Sequence, residues 1–195
     1  MKLLPLILYA IGWIVAVYLF NALLARRFQK VNTRLALLYI STMAALGVFG
    51  EVFVGNFYHH FFHNALWLWQ VFPIYKGYTS LYAPFLWGVY GFQLYLFHDN
   101  LAKRHIKNDN EVAVVFGVET IVLEILLNLS FLAIFGHYIF YYSPTDLGHF
   151  TSIQTFPFFF IASLIYTKAI RREQNNKTLF TILNVALCFV LVAIE

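Results

Sequence analysis

The sequence has few charged residues and only one cysteine. Of its 195 residues, 11% are Asp, Glu, Lys or Arg, whereas soluble domains carry about 25%. This deficit, with a mean hydropathy of +0.71, excludes an ordinary soluble domain. The single cysteine, Cys188, excludes an internal disulfide and a thiolate metal cluster. The sequence also lacks a glycine-rich phosphate loop or Walker-type motif, so any use of ATP would need another chain.

Long apolar runs are what the sequence does contain, and 61% of the residues are hydrophobic. A helix needs about 20 apolar residues to cross a bilayer. The first run ends at Arg26 and Arg27 without a small-residue cleavage site, which indicates a transmembrane helix and not a signal peptide. We therefore predict an all-α, polytopic integral membrane protein with a single membrane domain, residues 1–195. The predicted spans are 3–24, 35–64, 80–97, 112–135, 151–170 and 179–194.

The basic residues fall on one side of these predicted spans. Eleven of the 13 Lys and Arg lie in the connections after the first, third and fifth spans, if Lys168 at the end of the fifth span is included, and only Lys2 and Lys76 lie on the other side. Because positively charged loops stay in the cytoplasm, this pattern predicts six transmembrane helices with both termini outside. We expect the protein in the inner or plasma membrane. The basic residues form no soluble patch, so no nucleic-acid partner is expected.

Residues 45–97 and 118–170 share a pattern. Each copy begins with an apolar run that contains one acid, Glu51 or Glu124. The acid is followed by an aromatic pair (Trp67/Trp69 or Tyr141/Tyr142), a turn (Gly77-x-Thr79-Ser80 or Gly148-x-x-Thr151-Ser152) and a proline (Pro84 or Pro157). Both copies would start on the cytoplasmic side. The pattern therefore predicts a parallel internal repeat about an axis along the membrane normal.

These motifs, over residues 45–170, resemble those of the transmembrane-protein-229 family and of the bacterial CmpB-like proteins that are labelled as ABC-transporter permeases. The resemblance rests on Glu51, Trp67, Trp69, Pro73, Gly77-x-Thr79-Ser80, Gly88, Glu124, Tyr142-Ser143 and Pro157. The sequence departs from the family at Leu123 and Phe140, where a tryptophan is usual, and Lys76 interrupts the Pro-Ile-Tyr-Gly element of the bacterial members. The resemblance implies a multi-pass, permease-type protein and no particular reaction.

Glu51 and Glu124 are the main candidates for chemistry. Each lies 17 residues beyond a basic residue, Arg34 or Lys107, which is about 25 Å along a helix. Equal heights on two repeat-related helices would let the carboxylates face each other. Such a pair could bind a cation, a proton or a polar head group. Alternatively, each acid is a hydrogen-bond partner between helices, for Asn56 or Asn128. A third acid, Glu119, has no counterpart in the first copy.

The histidines and aromatic residues near the predicted outer surface form a second group of candidates. His59 and His63 are four residues apart and would share a helix face. With His137 and His149 they could ligate a metal, but a hydrogen-bonded belt of interfacial residues is the default, and we expect neither a metal nor a cofactor. Trp67, Trp69 and Tyr142 could close an outer pocket.

These features favour a permease-like module, or one that binds a small molecule or lipid, with a buried carboxylate pair open to the outer side. Its expected partners are membrane lipid and a small-molecule or lipid substrate. Six short helices leave little room for alternating access, so a homodimer or an accessory subunit is also expected. One alternative is a lipid- or isoprenoid-modifying enzyme that uses Glu51 and Glu124 as acid and base. Another is a structural or regulatory membrane subunit.

Overall fold

The computed structural model describes residues 3–97 and 108–194, and most of these residues are helical. Four stretches are long and apolar enough to cross a membrane: Leu4–Leu24, Thr33–Phe62, Asp109–Phe135 and Ile153–Ala193. The structure thus confirms an all-helical protein with several long apolar helices that could span a membrane. Of the basic residues used above, Lys2, Lys103, Arg104 and Lys107 lie outside the described residues.

The helices, numbered in chain order, are α1 (Leu3–Leu24), α2 (Thr33–Phe62), α3 (Ala83–Phe97), α4 (Asp109–Phe135), α5 (Phe156–Glu173) and α6 (Lys177–Ala193). Local capping signals explain several of these ends. The Asn32 side chain accepts a hydrogen bond from the Leu35 backbone N–H at 3.2 Å, where α2 begins. Gly136 ends α4 with a left-handed φ of 77°, which glycine adopts without strain.

Four short strands lie at one end of the helix bundle, which we call the sheet end. They are β1 (Trp67–Trp69), β2 (Pro73–Ile74), β3 (Thr79–Ser80) and β4 (Phe140–Tyr142). β2 pairs with β3, and β1 pairs antiparallel with β4. These strands were not predicted, and they explain why α3 begins at Ala83 and not at residue 80: the preceding Thr79 and Ser80 belong to β3. Likewise α5 begins at Phe156 and not at residue 151, and Pro157 occupies its first turn.

A tight turn, Gln174–Asn176, joins α5 to α6. The Asn184 Nδ2 atom lies 3.2 Å from a carboxylate oxygen of Glu173, although a straight helix would separate residues eleven apart by about 16 Å. The chain therefore reverses direction here, and α6 runs back along α2. Its far end reaches the sheet end, where the Tyr75 hydroxyl donates a hydrogen bond to the Leu191 carbonyl.

Helix α2 is the centre of the bundle and packs against α3, α5 and α6. The approach to α3 is close: a Cβ on Gly91 would lie 2.5 Å from the Tyr39 carbonyl oxygen, so only glycine fits there. The outer faces of the helices expose large apolar side chains, including Leu23, Phe53 and Phe189. Such a surface is costly in water and favourable in lipid.

Candidate functional site

Glu51 is a buried acid on the part of α2 that approaches the sheet end. Its carboxylate accepts hydrogen bonds from two strands. The Trp69 indole Nε1 of β1 donates to Oε1 at 3.1 Å, and the Thr79 hydroxyl of β3 donates to Oε2 at 2.5 Å. Because the indole N–H can only donate, the Glu51 oxygen that it contacts is an acceptor. Glu51 thus connects the central helix to both strand pairs.

Glu124 is the equivalent buried acid on α4. The Tyr142 hydroxyl of β4 lies 3.0 Å from both of its carboxylate oxygens. The Thr151 hydroxyl, in the segment before α5, also donates to Oε2. Burial, with the nearby carboxylate, raises the pKa of Tyr142 well above its usual range, so the phenol stays protonated and acts as the donor.

The partners of the two acids occur at matching positions in the sequence. The aromatic donor follows its glutamate by 18 residues in both cases, and the threonine follows by 28 residues for Glu51 and by 27 for Glu124. Trp69 and Tyr142 therefore occupy the same position relative to the two acids, as do Trp67 and Phe140, whereas the sequence pattern had set Trp67 beside Tyr141. Antiparallel pairing places Trp67 opposite Tyr142 and Trp69 opposite Phe140.

Both acids line one cavity of about 80 Å³ between α2, α4 and α5. They lie within electrostatic range of each other. The remaining walls are apolar or aromatic, apart from the Thr155 and Tyr142 hydroxyls, and no Lys, Arg or His lines the cavity in the described part of the chain. The residues that line the cavity besides the two acids are Met43, Leu46, Gly47, Gly50, Val54, Trp67, Trp87, Phe116, Phe140, Tyr142, Thr155, Phe158, Phe159 and Ala162. A pair of carboxylates without a counter-ion in an aromatic cavity is suited to a proton or a positively charged group.

The two asparagines proposed from the sequence occupy different environments. Asn128 is buried, and its Nδ2 donates to the Phe140 and Phe150 carbonyls at 2.7 and 3.0 Å. Its Oδ1 accepts from the Ile139 N–H at 3.0 Å, so Asn128 fixes the loop backbone at the sheet end. Asn56 is exposed and donates only to the carbonyl of Val52 in its own helix. Both asparagines therefore bond to backbone groups and not to a glutamate, so the alternative that pairs the acids with Asn56 or Asn128 was wrong.

The four candidate histidines lie at the sheet end and outside the cavity lining. His59 is exposed in the last turn of α2, and His63 follows the helix end with a left-handed φ of 54°, so the two do not share a helical face as predicted. The His137 ring hydrogen-bonds the adjacent Tyr138 carbonyl, and His149 stacks on Tyr141. Within residues 3–97 and 108–194, no three His, Cys, Asp or Glu side chains come together to hold a metal ion.

Sequence reasoning missed four residues of the site. Thr79 and Thr151 belonged to the repeated motif, but they were not recognised as partners of the acids; their matched spacing was the available signal. Trp87 lines the cavity. Among the residues that the structure describes, the buried Tyr90 hydroxyl has no hydrogen-bond partner, and the Tyr90 ring packs against that of Trp87 with the ring centroids 5.1 Å apart. Nothing in the local sequence marks Trp87 or Tyr90, because the packing of α3 places Trp87 in the cavity wall and Tyr90 beside it.

Glu119 does not take part in this site. It lines a separate crevice between α1 and α4, beside Gln93 of α3. The Gln93 Oε1 atom accepts a hydrogen bond from the Asn21 side chain at 2.6 Å. Glu119, which has no counterpart in the first copy of the pattern, therefore lies outside the cavity that Glu51 and Glu124 line.

No family model matches the chain, and neither the curated proteins nor the solved structures yielded a similar protein. The resemblance to the transmembrane-protein-229 and CmpB-like proteins therefore stays a prediction. Function has to be inferred from the site itself, since a fold alone does not determine it.

Proposed function

We propose that the chain is an integral membrane protein of six spans, in the inner or plasma membrane, with its basic connections in the cytoplasm and both termini outside. The charge pattern of the sequence supports this arrangement. So does the reversal at Gln174–Asn176, which lets α5 and α6 cross in opposite directions. The sheet end, where Lys76 lies, is then the outer end.

The two acids are proposed to belong to a parallel repeat of residues 45–97 and 118–170. The matched partners of Glu51 and Glu124 support this proposal, because unrelated segments would have no reason to place similar donors at the same or nearly the same spacing. The pairing of β1 with β4 about Leu68 and Tyr141 is what a two-fold axis along the membrane normal requires.

The function supported best is that of a permease-like module that binds a small molecule or a lipid at the carboxylate pair, as a homodimer or with an accessory subunit. One observation carries this proposal: Glu51 and Glu124 line the same cavity, and no basic side chain lines it within the described residues. Two buried carboxylates without a counter-charge are costly. Binding a donor or a cation would offset that cost.

A structural role is the second candidate, and the hydrogen bonds of the acids favour it. Each glutamate holds a segment of the sheet end through an aromatic and a threonine donor. Such contacts would stabilise the protein even if nothing bound in the cavity. The two candidates differ in what happens when the acids lose their charge but keep their shape.

The test replaces Glu51→Gln and Glu124→Gln together and compares the bound molecules that co-purify with each protein in phosphatidylcholine nanodiscs, by native mass spectrometry. Glutamine keeps an acceptor for Trp69 but removes the charge. A charge-assisted hydrogen bond contributes about 1.5–3 kcal/mol, so we expect occupancy to fall roughly tenfold or more. Glu111→Gln is the matched control, because Glu111 is an exposed acid on α4, outside the cavity.

If the double variant folds and retains the same bound molecules as the wild type and the Glu111→Gln control, the carboxylates do not bind a ligand. The structural role would then be the correct one. Circular dichroism and size-exclusion chromatography would establish that the variants are folded before the comparison is made.

A further inference from the structure

The exposed part of the cavity wall is formed by helices. Its partly exposed members are Leu46 and Gly50 on α2, Trp87 on α3, and Phe158 and Ala162 on α5. We call Leu46, Gly50, Phe158 and Ala162 the rim. Every lining residue supplied by the strands is buried. The entrance of the cavity therefore lies between α2 and α5 and not at the sheet end.

The sheet end is closed above the cavity by aromatic contacts. The Trp67 ring lies 5.9 Å from that of Tyr142, and the Trp69 ring lies 5.3 Å from that of Phe140, as measured between ring centroids. These pairs join β1 to β4 side by side and form a roof. An opening to the outer aqueous side, which the sequence suggested, would have to pass through this roof.

The surface around the rim is apolar. Phe53 follows Gly50 by one helical turn, Ile161 follows Phe158 in the same way, and both side chains are exposed. On a membrane-spanning helix, exposed apolar side chains at this depth contact hydrocarbon and not water. A molecule that passes the rim would therefore come from the lipid.

We propose that the cavity opens sideways into the bilayer between α2 and α5 and takes the amino head of a membrane-dissolved amphiphile. This inference rests on the proposed binding function and specifies its substrate class and route. The head enters between Gly50 and Ala162, and the hydrocarbon chain stays in the lipid.

The chemistry of the cavity selects an amino head. A carboxylate has about four acceptor positions, and the side chains that donate to Glu51 and Glu124 leave some of these positions free on both acids. An ammonium group supplies three donors and a positive charge, and aromatic faces such as that of Trp87 also attract it.

The cavity is large enough for a small head group but too small for a whole lipid. A volume of about 80 Å³ is several times the 10–15 Å³ or so that one water requires, so an ammonium group and one or two waters fit. A hydrocarbon chain does not fit inside and has to leave through the rim. An amphiphile with a small cationic head meets both conditions.

The experiment uses the full chain in phosphatidylcholine nanodiscs with two photoreactive probes, a diazirine-bearing hexadecylamine and the matched hexadecanoic acid. After irradiation, mass spectrometry quantifies labelled peptides from residues 43–54 and 156–162. One charge-assisted hydrogen bond corresponds to roughly a tenfold difference in binding, so the amine should label these peptides about tenfold more than the acid does.

The entrance is tested by Gly50→Phe. A Cβ on Gly50 meets no atom within 4 Å, so the ring fills the rim without displacing the backbone, and we expect amine labelling to fall about tenfold. Gly12→Phe is the matched control, because Gly12 also faces open space but lies on α1, away from the cavity. If Gly50→Phe does not fold, Ala162→Phe closes the entrance from the opposite helix.

The outcomes separate this inference from the proposed function. Equal labelling by the amine and the acid would overturn the amino head. Labelling that is lost in the Glu51→Gln, Glu124→Gln double variant but is unchanged in both rim variants would overturn the sideways entrance and leave the binding function intact. Amine labelling that does not respond to the double variant would show that the binding function itself is wrong.

Discussion

Two asparagine residues, Asn128 and Asn56, contribute differently to the structure because one is buried and the other is exposed. Asn128 is buried and uses both its amide nitrogen and its oxygen on loop backbone. Asn56 has the same side chain but is exposed and bonds within its own helix. Loss of a side chain that satisfies buried backbone groups leaves those groups without partners, which is more costly than the loss of an exposed bond.

We therefore predict that Asn128→Leu lowers the free energy of unfolding by about 2–4 kcal/mol, because three backbone groups at the sheet end lose their partner. Asn56→Leu should change it by less than about 0.5 kcal/mol. Thermal unfolding in detergent, followed by circular dichroism, measures both. Equal effects of the two substitutions would contradict the assigned role of Asn128.

At the scale of elements, the contact between β1 and β4 joins the two parts of the chain that carry the acids. Leu68 and Tyr141 are opposite each other at its centre, and both side chains are exposed. The neighbouring side chains alternate to the buried side and form the roof of the cavity. A three-residue strand pair is short, so its stability depends on these aromatic contacts and on the acids beneath.

Cross-linking tests this pairing. With Cys188→Ala as background, Leu68→Cys combined with Tyr141→Cys should form a disulfide on mild oxidation, because opposite residues of antiparallel strands have Cα atoms about 4.5–5.5 Å apart. Leu68→Cys with Tyr138→Cys, three residues out of register, should not. Peptide mapping by mass spectrometry detects the bond. Comparable cross-linking in both variants would contradict the register.

For the whole molecule, the two ends of the bundle have different characters. Aromatic strands cover the sheet end, while the opposite end has exposed arginines such as Arg27 and Arg171, and Arg171 pairs with Asp109 at the start of α4. A membrane protein with this distribution of charge keeps its basic end in the cytoplasm. The proposed topology, in which α5 and α6 cross the bilayer separately, agrees with this distribution.

Accessibility labelling in intact cells tests this topology. In the Cys188→Ala background, Gln70→Cys and Lys76→Cys at the sheet end should react with a membrane-impermeant maleimide. Arg27→Cys and Asn175→Cys should react only after permeabilisation. All four positions are exposed, so burial does not limit the reaction. Reaction of Asn175→Cys from outside would mean that α5 and α6 do not cross separately.

The sequence by itself determined the helical, apolar class, and it singled out Glu51 and Glu124, the two acids that line the cavity. Hydrophobic runs and isolated charged residues can be recognised from the local sequence without knowledge of how the helices pack. Helix boundaries were less accurate where a strand or a proline decided them, as at Ser80 and Pro157. The histidine pair failed because the chain leaves the helix at His63, a local backbone conformation that spacing does not reveal.

Only the tertiary structure decided what surrounds the acids. Glu51 and Glu124 are 73 residues apart in the sequence, and they share a cavity because α2, α4 and α5 pack around it. Trp87 lines the cavity through the packing of α3, and the proposed entrance depends on how α2 and α5 pack. Contacts between distant segments depend on the packing of whole helices, and local sequence patterns do not specify that packing.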